Sequence, residues 1–336
     1  MTTNKQAPKK NILVRFLTMN TSREVSGRDL PLWRQLLLQL LTLLIGFTVL
    51  FPILYIITLS FSSQTSRPSS LQLIPTEFST TAYQQVLDRP TANPVSFLEL
   101  LRNSFLLSLG VGIVTLLVAV SAAYAFSRFK FKMRQVMMVL VFIPLLMPTV
   151  GLATPLYLLM NSFQFRECGD GLVALAPLTA CAGAAGRVVF NLRDSLLGVG
   201  IALIAGALPF AIWNLKGYLD TIPRELEEAA QIDGADANQV FFLIVLPLAV
   251  PQLAVTFFLG FIGHWQEFAL SWLFLNKPQD YTLAMTLYNM TGQYANSIPW
   301  NRFAAMAVIV ALPVAIVYIV LQKYITGNLT AGGVKG

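Results

Sequence analysis

The chain has 336 residues, of which 55% are apolar and only 12% are charged, and its mean hydropathy is +0.64. Because a soluble domain carries about a quarter charged residues, this composition excludes an ordinary soluble fold and indicates a membrane protein. The net charge of +7 does not indicate nucleic-acid binding, since much of the excess lies beside apolar segments, in residues 1–35 and 128–134.

Six apolar stretches are long enough to cross a membrane as helices. The predicted spans lie near residues 36–60, 104–126, 136–160, 196–215, 248–274 and 303–324. The first stretch follows seven Lys and Arg residues and is longer than the core of a secretory signal, so we expect a retained helix there.

Lys and Arg residues in the connections predict the orientation. With the N-terminus inside, the cytoplasmic pieces hold 15 of the 23 Lys and Arg residues, as the positive-inside rule requires. The predicted organisation is a cytoplasmic segment at 1–35, a transmembrane domain at 36–324 with a cytoplasmic loop at about 220–247, and a cytoplasmic tail at 325–336.

A short apolar segment at residues 171–186 complicates this count. It contains Pro177 and many small residues, so we interpret it as an interfacial or re-entrant piece of the outer loop between spans three and four. A true span here would reverse the orientation of everything that follows. Cys168 and Cys181 both lie in this loop, where an outside location permits a disulfide, although free thiols are equally compatible with the sequence.

The connection between spans four and five is acidic and interrupts the apolar pattern. Thr221 can cap a short helix, Pro223 suits its first turn, and three Glu residues near its start favour the positive end of the helix dipole. Asp233-Gly234 supplies a turn, and Asp236 can start a second short helix that leads into the fifth span. This pattern predicts a helix-turn-helix at the inner membrane face, which is either a protein-docking surface or a solvated connector.

The same loop contains a spaced motif. Glu228-Ala229-Ala230 is followed by three residues, Gly234, nine residues and then Ile244-Val245-Leu246-Pro247. This spacing resembles the EAA motif of ABC importer permeases, E-A-A-x3-G-x9-I-x-L-P. The segments LEEAAQIDGA, HWQEF and ITGNLTAGGVKG are also similar to the carbohydrate-uptake branch, and the last of them to the smaller permease subunit of maltose-type importers.

The resemblance implies an all-α integral membrane protein of the type I ABC importer permease fold, with six transmembrane helices and a cytoplasmic helix-turn-helix coupling loop. It implies a bacterial cytoplasmic (inner) membrane location with both termini cytoplasmic. The implied partners are a dimer of ATPase subunits, a second permease subunit, an extracytoplasmic solute-binding protein and membrane lipid, with no nucleic acid. The chain itself would bind no cofactor, since ATP and Mg would be used by the partner ATPase.

The resemblance also assigns roles to residues. The coupling residues would dock on the ATPase, and they are Glu228, Ala229, Ala230, Gly234, Leu246 and Pro247. In the tail, Thr330, Gly332 and Gly333 would contact the ATPase, the alternative being a disordered end. In the loop before the sixth span, the residues expected to contact the solute-binding protein are Tyr288, Asn289 and Tyr294.

Two residues near the outer end of the fifth span are candidates for the transport pathway. Glu267 is ionisable at membrane depth, which suggests function, but an interfacial carboxylate bonded to a neighbouring helix explains it equally well. Trp265 is a pathway residue or a packing and interface anchor. The sequence contains no G-x-x-x-x-G-K-[ST] phosphate-binding loop. We therefore expect that this chain does not hydrolyse ATP itself and is not an enzyme.

Two other functions remain open at this stage. The first is an ABC importer permease for a non-sugar solute such as a polyamine, which would share the EAA loop. The second is a membrane enzyme or a stand-alone channel, which would be active without an ATPase.

Overall fold

The computed structural model describes residues 32–66, 68, 74, 75, 77–147, 149–168, 173–176, 187–291 and 298–331. Within these ranges the chain is mostly helical, and five helices are long and apolar enough to cross a membrane. Two shorter helices joined by a sharp bend make a sixth span if the pair is counted as one. The chain divides into two compact units, Met1–Leu54 and Tyr55–Gly336.

The first unit contains most of helix α1, Leu32–Ser60. This helix covers the predicted span at 36–60. The hydroxyls of Thr42 and Thr48 each donate to the carbonyl four residues earlier, at 2.8 Å. These bonds satisfy both hydroxyls inside the helix, so the polar atoms need no partner from lipid.

The second unit holds the other elements. In chain order its helices are α2 (Thr81–Asp88), α3 (Phe97–Arg128), α4 (Arg134–Leu146), α5 (Thr149–Ser162), α6 (Leu196–Leu219), α7 (Glu225–Ile232), α8 (Ala237–Gln239), α9 (Leu246–Trp265), α10 (Ala269–Phe274), α11 (Leu283–Met290) and α12 (Trp300–Ala331). A π-helical segment, Val240–Val245, joins α8 to α9, and a 3-10 turn covers Pro278–Asp280.

Helices α3, α6 and α9 form the centre of this unit, and small residues let them approach one another. Ala119 and Ala123 of α3 are fully buried in one cluster with Ala211 and Leu215 of α6. A methyl group added at Gly112 of α3 would lie 3.2 Å from the Phe257 ring of α9. Small side chains at such contacts are typical of membrane bundles, where close packing replaces the hydrophobic driving force.

The predicted third span is not one continuous helix. Residues 136–160 fall on α4 and α5, which meet at a bend of 103°. Met147 ends α4 with an extended backbone, φ −87° and ψ 136°, and it precedes Pro148 in the sequence. Because a residue before proline is disfavoured in the helical region, the chain bends here, and the third apolar stretch is built from two helices.

Two other helix ends differ from the predicted ones. The fifth span, predicted to reach residue 274, ends at Trp265, and a separate helix, α10, covers Ala269–Phe274. The sixth span, predicted at 303–324, lies on α12, which continues to Ala331. Residues 325–331 are therefore helical, although the sequence predicts a Gly-rich tail after Lys323.

A small antiparallel sheet is present in addition to the helices of the predicted fold. Strands β1 (Gln164–Glu167), β2 (Val173–Ala176) and β3 (Arg187–Asn191) pair in the order β2-β1-β3. Part of the segment interpreted as interfacial or re-entrant is therefore an edge strand, whose inward-facing backbone groups pair with β1.

The structure also shows whether a cysteine of this loop is a free thiol or part of a disulfide. Cys168, which follows β1, is disulfide-bonded. The other cysteine of the sequence, Cys181, lies outside the described residues.

Gly198 in the first turn of α6 is predicted to tolerate no side chain. A methyl group there would lie 1.9 Å from the Leu192 carbonyl oxygen, which is a backbone atom that cannot rotate away. We expect Gly198→Ala to lower the free energy of unfolding by at least about 2 kcal/mol, the cost of overpacking a tight contact. Thermal unfolding in detergent measures the loss.

The matched control is Gly206→Ala in the same helix, where an added methyl group meets nothing within 4 Å. This change should leave the unfolding temperature the same or raise it slightly, because alanine favours a helix over glycine. Equal unfolding temperatures for the two variants would contradict the predicted clash.

Candidate functional site

The acidic loop forms the predicted helix-turn-helix, and its first helix, α7, ends at Ile232 and is followed by a turn at Gly234. Gly234 has φ 93°, a left-handed conformation that suits glycine. The Ala235 N–H donates to the Ala230 carbonyl at 2.9 Å, and the Gly234 N–H donates to the Gln231 carbonyl at 3.1 Å. These two bonds make a Schellman C-cap, which confirms the predicted turn.

The second arm begins where the sequence predicts it. The Asp236 carboxylate accepts from the Gln239 N–H at 2.7 Å, and the Gln239 side chain accepts from the Asp236 N–H at 2.9 Å. This capping box starts α8, and the π-helical segment Val240–Val245 then leads into α9. Pro247 lies just after the π-helical segment, so its missing N–H falls where the regular hydrogen-bond ladder is already interrupted.

The predicted cap at Thr221 is wrong. Its hydroxyl donates backwards to the Tyr218 carbonyl at 2.7 Å. Helix α7 begins later, at Glu225, and its N-cap residue, Arg224, makes no capping bond with its side chain. Thr221 therefore finishes the end of α6 rather than starting α7.

One face of α7 and the turn that follows it are exposed. Glu228, Ala229 and Gly234 are exposed, and Ile232 is 86% exposed. Ala230 packs partly against the buried cluster of α3, α6 and α9, as does Leu246 at the start of α9. The motif thus divides into an exposed surface around Glu228 and an anchored side that includes Ala230 and Leu246.

The opposite face of α7 carries a buried carboxylate that the sequence analysis does not single out. Glu227 is 7% exposed and forms an ion pair with Arg128 at the end of α3, with 2.5 Å between Nε and Oε1. The Tyr124 hydroxyl donates to the other carboxylate oxygen at 3.2 Å. A further nitrogen of Arg128 donates to the Ile222 carbonyl at 3.0 Å. Arg128 therefore binds both α7 and the segment that leads into it.

A second set of polar contacts surrounds this pair. The Ser127 hydroxyl donates to Asp220 at 2.6 Å, and Asp220 also pairs with Lys216 at 2.5 Å. Arg224 donates to the Ser127 carbonyl at 2.9 Å. Burial alone would raise the pKa of the Asp220 carboxyl, but the hydrogen bonds from Lys216 and Ser127 outweigh burial and lower that pKa. Asp220 therefore keeps its negative charge between α3 and α6.

The loop before α12 is attached to the opposite end of α3. Ser104 accepts from the Leu283 N–H at 2.7 Å, and Asn103 donates to the carbonyls of Gln279 and Tyr281 at 2.6 Å and 3.1 Å. Asn103 and Ser104 are each 2% exposed. The start of α11 is therefore fixed to α3 by buried hydrogen bonds.

The predicted contact residues for a solute-binding protein lie on and after α11. Tyr288 and Asn289 are exposed at the end of this helix, and the Tyr288 ring stacks on Phe268 with 4.7 Å between the ring centroids. Tyr294 lies outside the described residues, as do Gly332 and Gly333 of the tail. Thr330 lies in the last turn of α12.

Trp265 and Glu267 have packing and capping contacts in the structure. Trp265 is 2% exposed, and its indole N–H donates to the Val310 carbonyl at 3.1 Å. The Glu267 carboxylate accepts from the Leu270 N–H at 2.5 Å and from the Ser271 hydroxyl at 2.8 Å, which starts α10. These contacts explain both residues structurally, and their pathway role stays a prediction.

A cavity of about 200 Å³ lies between α3, α6 and α9. Thr115, Thr256 and His264 are the polar side chains among the residues that line it. Within the described part of the chain, the Thr115 hydroxyl and the His264 Nε2 are buried without a hydrogen-bond partner. His264 thus lines a cavity among whose lining residues neither Trp265 nor Glu267 is found.

A comparison with family models identifies the chain. The model for the binding-protein-dependent transport system inner membrane component matches residues 115–330. The chain belongs to this family. The matched region of this inner membrane component includes the buried pair of Arg128 and Glu227, all of α7 and its Gly234 turn.

Curated relatives of this inner membrane component match over part of their length. The maltose/maltodextrin transport system permease protein MalG of Vibrio vulnificus is 38% identical over 178 residues, which are 53% of this chain and 60% of the relative. MalG of Escherichia coli is 45% identical over 133 residues, 39% of this chain and 44% of the relative. The galactooligosaccharides transport system permease protein GanQ of Bacillus subtilis is 42% identical over 133 residues, 40% and 47% of the two chains. The matches thus span about half the length of these relatives.

Solved structures share the fold of this inner membrane component. A chain of a bacterial ABC transporter involved in the import of the acidic polysaccharide alginate matches with a TM-score of 0.66 and 24% identity, over 89% of this chain and 99% of that one. A chain of the MetNI methionine ABC transporter in an inward-facing conformation matches with a TM-score of 0.50 and 18% identity, over 73% and 97%. The type I ABC transporter permease fold is therefore established, with the small sheet as an addition to its helices.

The ion pair between Arg128 and Glu227 gives a stability prediction. Arg128→Met leaves a buried carboxylate without its cation, and such a loss costs about 3–5 kcal/mol. Adding Glu227→Leu removes the unpaired charge, so we expect the double variant to recover most of the loss. Thermal unfolding in detergent compares the two proteins, and a double variant less stable than Arg128→Met would contradict the prediction.

Proposed function

We propose that this chain is a permease subunit of an ATP-driven ABC importer that moves a carbohydrate across the bacterial cytoplasmic (inner) membrane. The observation that carries the proposal is the division of α7 into two faces. Glu227 is buried against Arg128, whereas Glu228, Ala229 and Gly234 of the EAA motif are exposed. A helix held in this way presents a fixed surface to a partner.

The partner at this surface is a dimer of ATPase subunits. Ala229 and Gly234 have little or no side chain, so a cleft can approach the backbone closely, and Glu228 can meet basic groups or backbone donors. ATP and Mg are used by that partner, and this chain needs no cofactor of its own. Closure of the ATPase dimer on ATP would push α7 and rock the spans between inward-open and outward-open states.

The orientation follows from charge and from cysteine chemistry. The Lys and Arg count favours cytoplasmic termini and a cytoplasmic α7. The disulfide at Cys168 supports an outside position for the small sheet, because disulfides persist in oxidising compartments. A second permease subunit and lipid would cover the apolar helix faces, such as that of Leu259, which is 47% exposed.

The outer surface takes an extracytoplasmic solute-binding protein. Tyr288 and Asn289 are exposed at the end of α11, and Tyr294 follows in the same loop. At the other side of the membrane, Thr330, Gly332 and Gly333 would add a second contact to the ATPase. Trp265 and Glu267 remain candidates for the outer part of the pathway.

The substrate class is an oligosaccharide or disaccharide of the maltose or maltodextrin kind. The support comes from relatives whose names describe transport of maltose, maltodextrin and galactooligosaccharides. Uptake of labelled maltose, maltotriose, galactooligosaccharide and spermidine by cells that express the complete importer tests this assignment. Uptake of spermidine but of no sugar would overturn it.

The coupling surface is tested by Gly234→Asp and Glu228→Lys. A side chain at φ 93° strains the turn, and Lys reverses the charge on the exposed face. We expect either change to reduce sugar uptake by at least about tenfold, the effect of losing roughly 1.4 kcal/mol of coupling. The amount of protein in the membrane should be unchanged.

The control for these variants is Asn238→Asp, which changes charge at an exposed residue beyond the turn. It should transport like the unaltered chain. If Gly234→Asp and Glu228→Lys both show normal uptake in complexes that contain the ATPase, the proposed coupling through α7 is contradicted.

A further inference from the structure

Helix α3 makes buried contacts with both loops that the proposed function uses, one at each end. At its outer end, Asn103 and Ser104 bind the segment that starts α11. At its inner end, Arg128 binds Glu227 of α7. Since Arg128 lies 24 positions after Ser104, these attachments are about 36 Å apart along the helix.

The outer attachment is made by polar atoms that have little freedom. Asn103 donates both of its observed bonds to backbone carbonyls, of Gln279 and Tyr281. Ser104 accepts from the Leu283 N–H in the first turn of α11. Because these atoms are buried, a shift of α11 must either move α3 or leave polar groups unpaired, which costs free energy.

The contacts at the inner end of α3 are also polar and buried. The side chains of Arg128 and Glu227 are 7% and 9% exposed, and breaking a buried pair is far more costly than moving it as a unit. Arg128 also holds the Ile222 carbonyl just before α7. Displacement of α7 therefore carries the end of α3 with it.

The helix between these attachments has no proline. Among the long helices that the structure describes, α1, α6, α9 and α12 each contain an internal proline, and α3 does not. Prolines are the commonest sites of sharp kinks in helices. Helix α3 is thus the spanning element best suited to transmit a displacement along its axis.

We infer that α3 is a strut that transmits movement between the outer loop at α11 and the coupling helix α7. The inference rests on the proposed function, and it adds which element connects the binding-protein side to the ATPase side. It assigns transmission roles to Ser104, Asn103, Arg128 and Glu227, none of which belongs to the EAA motif. These residues position other groups and touch no transported sugar.

The test uses the complete importer, with its partner subunits, in lipid nanodiscs. The readout is the ratio of ATPase activity with sugar-loaded binding protein to activity without it. Ser104→Ala removes the outer acceptor, and Glu227→Gln removes the inner charge. Ser121→Ala, at an exposed serine of the same helix, and Glu225→Gln, at an exposed glutamate of α7, are the matched controls.

We expect Ser104→Ala and Glu227→Gln each to lower this ratio by roughly two- to thirtyfold, the range that single residues contribute to coupling between sites. Basal ATPase activity and the amount of bound ATPase should stay unchanged, which a purely structural defect would not allow. The double variant should lose less than the product of the two single losses, because both changes interrupt one connection. The controls should keep the full ratio.

Full stimulation in both single variants would overturn the inference, as would losses that multiply in the double variant. If Glu227→Gln does not assemble, Arg128→Lys takes its place, since Lys keeps the charge but loses the fork that reaches Ile222. An unaltered complex that shows no stimulation by any sugar-loaded binding protein would instead contradict the proposed function. The two failures are therefore distinguishable.

Discussion

The ion pair between Arg128 and Glu227 determines how the loop after α6 sits on the bundle. Two charges removed from water are stable only when they are paired and hydrogen-bonded, so their geometry is restrictive. Here the carboxylate also accepts from Tyr124, and the guanidinium also reaches the Ile222 carbonyl. The position of α7 relative to α3 is therefore set by directional bonds rather than by apolar packing alone.

This anchoring explains how two neighbouring glutamates have different roles. Glu227 and Glu228 are about 100° apart around α7, because a helix turns once in 3.6 residues. One faces Arg128 and is buried, and the other is exposed beside Ala229. The helix is thus fixed to the bundle on one side and leaves Glu228 and Ala229 of the motif exposed on the other.

The two ends of the loop are attached in different ways. The α7 end is fixed by ionic bonds to α3, whereas the other end enters α9 through the π-helical segment Val240–Val245. A π-helical turn interrupts the regular hydrogen-bond ladder and is common at functional positions. Movement of α7 is therefore expected to travel mainly through α3, and the junction with α9 is the more deformable one.

Local sequence signals predicted the loop well, whereas contacts between distant residues were invisible to them. Gly234 predicts the turn and Asp236 predicts the helix cap from residue type alone, and the structure confirms both. The partner of Glu227 lies 99 residues away, and Arg128 resembles an ordinary topology charge. Hydropathy detects the apolar length of the third span but not the bend at Met147. The strands have only four or five residues each, which is too short for an alternating pattern that would predict the sheet.

The most direct test of this account is the structure of the assembled importer, by electron cryomicroscopy, with and without a non-hydrolysable ATP analogue. The account predicts that α7 changes position between the two states while the Arg128 and Glu227 side chains remain in ion-pair contact. A complex in which α7 moves and this pair separates would contradict the claim that the pair fixes α7 to α3.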